Sequence, residues 1–217
     1  MGTDNNSCVS LFMEISTFLM ALFTFFAVIV ALFGDWLKAR IFPIKLELNI
    51  PDPLGEQTDF KSDNKTKKAG RIYHVEVSNK KRWRKATGVQ IFLLRIEKPG
   101  PDGNFIPIWN GAVPLRWKHQ QIYPLQRTVG PPTKCDICSV NEDKILRLYP
   151  MIHQLNLLDH IEYDKEVNLV INLQAQANEA DSDILQLKLD WDGKWEKGEK
   201  EMMNHFIIKP YKTGRQV

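Results

Sequence analysis

Apolar and polar positions are spread very unevenly along this chain. Residues 15–34, ISTFLMALFTFFAVIVALFG, run for twenty positions without a charge. At about 1.5 Å per residue a helix of that length is roughly 30 Å long, the thickness of a bilayer's hydrocarbon core. The stretch predicts one transmembrane helix. A cleaved signal peptide would need a cationic start, a shorter apolar run and a small-residue cleavage site. Residues 1–14 contain no Lys or Arg, and Asp35, Trp36 and Leu37 follow the run. A core helix of a globular domain would carry a polar stripe, and no face of 18–33 is polar beyond Thr24.

Beyond the run the apolar period changes to two. Leu37 to Phe42 can continue the helix until Pro43 stops it. Ile44, Leu46, Leu48 and Ile50 then alternate with Lys45, Glu47 and Asn49, the pattern of a half-buried strand. Residues 51–71 are polar, hold Pro and Gly and show no apolar period, which predicts a loop. Tyr73, Val75 and Val77 face one way and His74 and Glu76 the other, a second strand over 72–78. Residues 89–96 are apolar on both faces, as in a central strand covered on two sides. KPGPDGN at 98–104 is a turn. Prolines at 107, 114, 124, 131 and 132 limit 105–132 to edge strands and irregular pieces. Residues 145–148, 167–175, 185–189 and 206–208 supply further strands. Seven or eight strands without a helical period predict an antiparallel, immunoglobulin-like β-sandwich, with a β-barrel as the alternative. The expected organisation is a short tail (1–14), the span (15–34), a juxtamembrane connection (35–43), the β domain (44–209) and a C-terminal tail (210–217).

Charge adds an orientation. All 29 Lys and Arg residues follow Gly34, starting with Lys38, Arg40 and Lys45. Positive flanks stay in the cytoplasm, so the N-terminus is expected outside and the β domain inside, with Trp36 as an interfacial anchor. With Asp4 and Glu14 set aside, 29 cations face 24 anions, a net +5 on the remainder. That is less than a nucleic-acid binder usually shows, and nucleic acid is not expected as a partner. Three cysteines, Cys8, Cys135 and Cys138, make no disulfide framework and agree with a reducing compartment.

Three constellations could carry chemistry. Lys80, Lys81, Arg82, Trp83, Arg84 and Lys85 put five cations around one indole, a mixture suited to anionic headgroups or to a partner; the plain alternative is a solvated loop. Cys135 and Cys138 form a CxxC that could give half of a zinc shell, with His153 the nearest following histidine. The histidine spacing lies outside the usual finger patterns, and packing cysteines are the simpler expectation. A redox role would need the pair at a helix start, and Pro131 and Pro132 precede it in a β context. Asp190, Trp191, Asp192 and Trp195 surround an Asp-Gly pair, which predicts a tight hairpin turn and leaves a sugar or calcium loop as the sharper option. No Gly-rich phosphate loop, HExxH or GxSxG occurs, and no catalytic set stands out.

Leu115-Arg116-Trp117-Lys118-His119-Gln120, Gly130-Pro131 before Cys135-Asp136-Ile137-Cys138, Glu179-Ala180-Asp181-Ser182, and Trp191-Asp192-Gly193-Lys194-Trp195 through Glu201-Met202 to His205 resemble a group of uncharacterised bacterial single-pass membrane proteins with a C-terminal β-rich domain. The resemblance spans about residues 72–209 and implies a bacterial inner-membrane setting without an assigned activity. The expected function is a tethered interaction or adaptor module, with binding expected ahead of an enzymatic activity. A metal or redox protein built on Cys135 and Cys138 and an anionic-lipid surface sensor are the alternatives.

Overall fold

The computed structural model describes residues 4–41, 43–61, 67–81, 84–118, 126–151 and 156–211. Two compact units divide the chain, 1–43 and 44–217. The first is a single helix, α1 (Asp4–Ile41). Its segment Met13–Gly34 has a mean hydropathy of 2.5 and none of it is buried. It is therefore the one helix among the described residues long and apolar enough to cross a membrane. Its two central hydroxyls need no outside partner: Thr17 Oγ1 donates to the Met13 carbonyl and Thr24 Oγ1 to that of Met20, each at 2.8 Å.

The second unit is mainly β, two antiparallel sheets of six strands. The first sheet runs β1 (Leu46–Asn49), β3 (Lys67–Asn79), β7 (Thr133–Asn141), β8 (Leu146–Leu148) and β9 (Glu162–Tyr163), with β2 (Glu56–Lys61) also paired to β3. The second runs β12 (Phe206–Pro210), β11 (Leu185–Trp191), β10 (Val167–Gln176), β4 (Ala86–Pro99) and β5 (Phe105–Pro114), with β6 (Arg127–Val129) on β4. Alternation decides what each strand buries. Tyr73, Val75 and Val77 of β3 and Leu169, Ile171 and Leu173 of β10 enter one shared core, as period-two spacing predicts. Across it the Tyr73 ring lies 4.3 Å, centroid to centroid, from that of Phe206. Arg71 is 1% exposed, and its two terminal nitrogens are engaged: Nη1 donates to the carbonyls of Leu54 and Gly55 and Nη2 to that of Lys197, joining the β2 entry to the chain ahead of β12, while Nε has no partner among the described residues.

Several expectations are corrected. Residues 51–71 are not one loop; they contain β2 and the start of β3. In β2 only Thr58 and Phe60 are half-buried and the other described side chains are exposed, so this edge strand carries too short an apolar pattern to announce itself. The chain from 133 to 141 is a strand between β3 and β8, and the Asp-Gly turn after β11 opens a longer connection, 192–205, that includes the one-turn helix α2 (Glu199–Met202). Within it Gly193 takes φ +80°, a left-handed conformation that costs glycine nothing. The central position of β4 holds, since it lies between β10 and β5; one face is buried and the other, at Gln90, Phe92 and Leu94, half-buried.

Candidate functional site

The basic loop crosses from β3 in one sheet to β4 in the other, and a single buried amide shapes it. Asn79, 3% exposed, accepts at Oδ1 from the backbone N–H of Lys45 (3.2 Å) and of Lys81 (3.1 Å). Its Nδ2 donates to the carbonyls of Lys81 (3.0 Å) and Arg84 (2.6 Å). Both acceptor and both donor positions of the amide are used. Lys80 N–H donates to the Lys45 carbonyl at 3.0 Å, and Arg84 N–H to that of Lys81 at 3.1 Å. The loop is thus fastened to the residue next to Ile44, where the β unit begins. Lys45, Lys80, Lys81 and Lys85 are exposed. Lys80 Nζ pairs with Glu47 at 2.9 Å. Lys80 and Lys85, with Glu76, Ser78, Asn79 and 130–132, line an open cleft of about 770 Å³. Of the remaining expected residues, Arg84 is half-buried and engaged with its surroundings, while Arg82 and Trp83 lie outside the described residues.

Cys135 and Cys138 sit on β7 facing the core. In a regular strand residues three apart point to opposite faces. Here the register against β3 shifts between Tyr73, opposite Cys138, and His74, opposite Asp136, so Ile137 is an extra residue. That bulge returns Cys138 to the face that Cys135 occupies. Both thiols are free and fully buried. Burial pushes both well above the ordinary thiol range, for Cys135 with help from the Asp136 carboxylate, so both remain protonated at neutral pH. The Cys135 thiol donates to the Arg116 carbonyl. Among the described residues no three His, Cys, Asp or Glu side chains are grouped to hold a metal ion, and His153 lies outside those residues.

The Asp190–Trp195 region closes on itself. Trp191, 1% exposed, donates from Nε1 to the Lys194 carbonyl at 2.8 Å. Asp192 accepts at Oδ1 from Lys194 N–H (3.0 Å) and its Oδ2 lies 2.8 Å from His205 Nδ1. Partial burial raises the Asp192 pKa, but the His205 contact and the Lys194 N–H outweigh it and hold the carboxyl below its ordinary value. Asp190 pairs with Lys188 at 3.2 Å, and Trp195 rests half-buried on the core.

A fourth cluster was invisible in the sequence. On the outer face of the first sheet, His74 is 4% and Asp136 3% exposed, with His74 Nδ1 3.0 Å from Asp136 Oδ1. The second Asp136 oxygen accepts from Arg116 Nε and Nη2 at 3.1 and 3.0 Å. The Arg116 guanidinium lies 4.4 Å above the Tyr149 ring, and the Tyr149 hydroxyl is 2.8 Å from that of Ser139. On the other side His74 Nε2 stands 3.4 Å from Glu56, which Lys118 also contacts. That Lys118 contact holds the Glu56 carboxyl below its ordinary range. The cluster joins β2, β3, β7 and the segment 115–118 by compensated charges, an arrangement that stitches strands together. Its members are far apart in sequence. The one available signal, His74 alternating onto the polar face of its strand, names no partner until β7 is known to be a strand.

No protein-family model matches this chain, and no curated protein matches it.

Proposed function

We propose that this is a single-pass protein of the bacterial inner membrane, with a short N-terminus outside and a cytoplasmic, immunoglobulin-like β-sandwich that binds another protein at the membrane surface. The observation that carries it is the segment Met13–Gly34, long and apolar enough to cross a membrane and not buried among the described residues. Exposing so much apolar surface to water is unfavourable by roughly 25 cal/mol per Å², and a bilayer removes that cost. The tether then raises the local concentration of the β unit for any partner on the same surface.

The edge of the first sheet gives such a partner a place to add a strand. Among the described residues β1 is terminal and pairs only with β3, along one side. A groove runs beside it between 45–48 and 182–185, and Ile184 there is 53% exposed. An extended segment with alternating apolar side chains fits this arrangement, main chain on β1 and one side chain on Ile184. The test is a crosslinking pull-down from native membranes with the full chain, with residues 1–43 alone and with Ile184→Lys. The full chain captures a protein, residues 1–43 do not, and the lysine lowers capture about tenfold, as expected for a charge placed against an apolar contact. Equal capture by residues 1–43 would overturn the proposal.

A further inference from the structure

We propose that Lys45, Lys80, Lys81 and Lys85 form a contact surface for anionic lipid headgroups; the inference rests on the membrane tether proposed above. Three observations carry it. First, the described backbone of the loop is bonded through Asn79, whose amide is saturated on Lys45, Lys81 and Arg84, and none of those bonds uses a lysine ammonium group. Second, the charge is uncompensated. Lys80 has Glu47, whereas Lys45, Lys81 and Lys85 have no carboxylate partner among the described residues, and Glu76 is the one further acid lining the adjoining cleft. Third, the loop is bonded to Lys45, four residues after Ile41, the last residue of α1. Seven helical residues beyond Gly34 and four extended ones reach at most about 25 Å from the end of the apolar segment, so lysines fastened there stay tethered within that distance of any bilayer that holds it. Phosphate headgroups are acceptors and ammonium groups are donors, and a surface rich in anionic lipid attracts basic residues that lie within a Debye length of it.

Lysine acylation of the intact chain, read by mass spectrometry, tests this in nanodiscs of phosphatidylcholine alone and of phosphatidylcholine with one third phosphatidylglycerol. Lys194, with a side chain 66% exposed on a different loop, is the internal control. In the anionic discs labelling of Lys45, Lys81 and Lys85 falls about five-fold relative to Lys194, the ratio that roughly 1 kcal/mol per cation near an anionic surface corresponds to. High salt restores it. Equal labelling of these lysines in both discs, in a chain that has inserted, overturns the lipid contact and leaves the tether standing. Failure of the chain to insert overturns both. Protection by added single-stranded RNA in neutral discs, without protection by anionic lipid, would assign the lysines to nucleic acid instead.

Discussion

Two loops combine tryptophan with charge, 80–85 with five cations and 190–195 with two aspartates and one lysine, and the structure treats them in opposite ways. In the second the polar atoms are spent on the loop itself: Asp192 holds Lys194 N–H and His205, Trp191 holds the Lys194 carbonyl, and Asp190 holds Lys188. In the first one buried side chain, Asn79, binds the described backbone of the turn, Lys80 pairs with Glu47, and Lys81 and Lys85 are exposed without a carboxylate partner among the described residues. A polar loop is a site candidate when its charges are surplus to its own folding, and composition alone does not separate the two cases.

Trp191→Ala should show the largest effect. It empties a fully buried site and strands the Lys194 carbonyl, at a cost of about 3–5 kcal/mol, measurable as a lowered denaturation midpoint. Asn79→Ala should come next, at about 2–3 kcal/mol for several lost partners of one buried amide. Its sharper signature is faster hydrogen exchange at Lys80, Lys81 and Arg84, with the 190–195 loop unchanged. An equal acceleration in both loops would mean that Asn79 supports the whole domain instead of this turn.

Asp192→Asn should be mild, under about 1 kcal/mol, because the carboxylate is 40% exposed and solvent screens its pairing. The pH dependence has a definite sign. The folded Asp192 pKa lies below its ordinary value, so its contribution is present above about pH 4 and fades as acid carries the solution through the lower, folded value. Wild type and Asp192→Asn therefore converge in stability as the pH falls below about 4, and a gap that widened in acid would contradict the pairing. Smallest of all, Lys81→Gln with Lys85→Gln should leave stability within about 0.5 kcal/mol, as for exposed surface positions. A larger loss in unfolding experiments would show that the lysines hold the loop after all.

The regular strands were legible where apolar residues on the core face alternated with mostly polar ones on the other. β10, β11 and most of β3 announce themselves by strict alternation. β2 did not, because its partly buried face offers one apolar residue, Phe60, beside Thr58, too little to set a period. β7 did not either: its bulge at Ile137 breaks the alternation, so Cys135 and Cys138 read as a short motif instead of two core residues. The basic loop was visible as composition, yet its frame was not, since nothing in the sequence distinguishes Asn79 from other turn asparagines. The His74–Asp136–Arg116 cluster depends on pairing β3 with β7, a nonlocal contact that local patterns leave unspecified.

The membrane tether is the premise on which both proposals depend, and alkaline extraction of native membranes combined with the mass of the extracted chain tests it most directly. A chain that stays with the bilayer at high pH, with residues 13–34 still attached, is the predicted result. Release into the supernatant, or a mature chain that begins after Gly34, would contradict it and reduce the helix to a signal sequence.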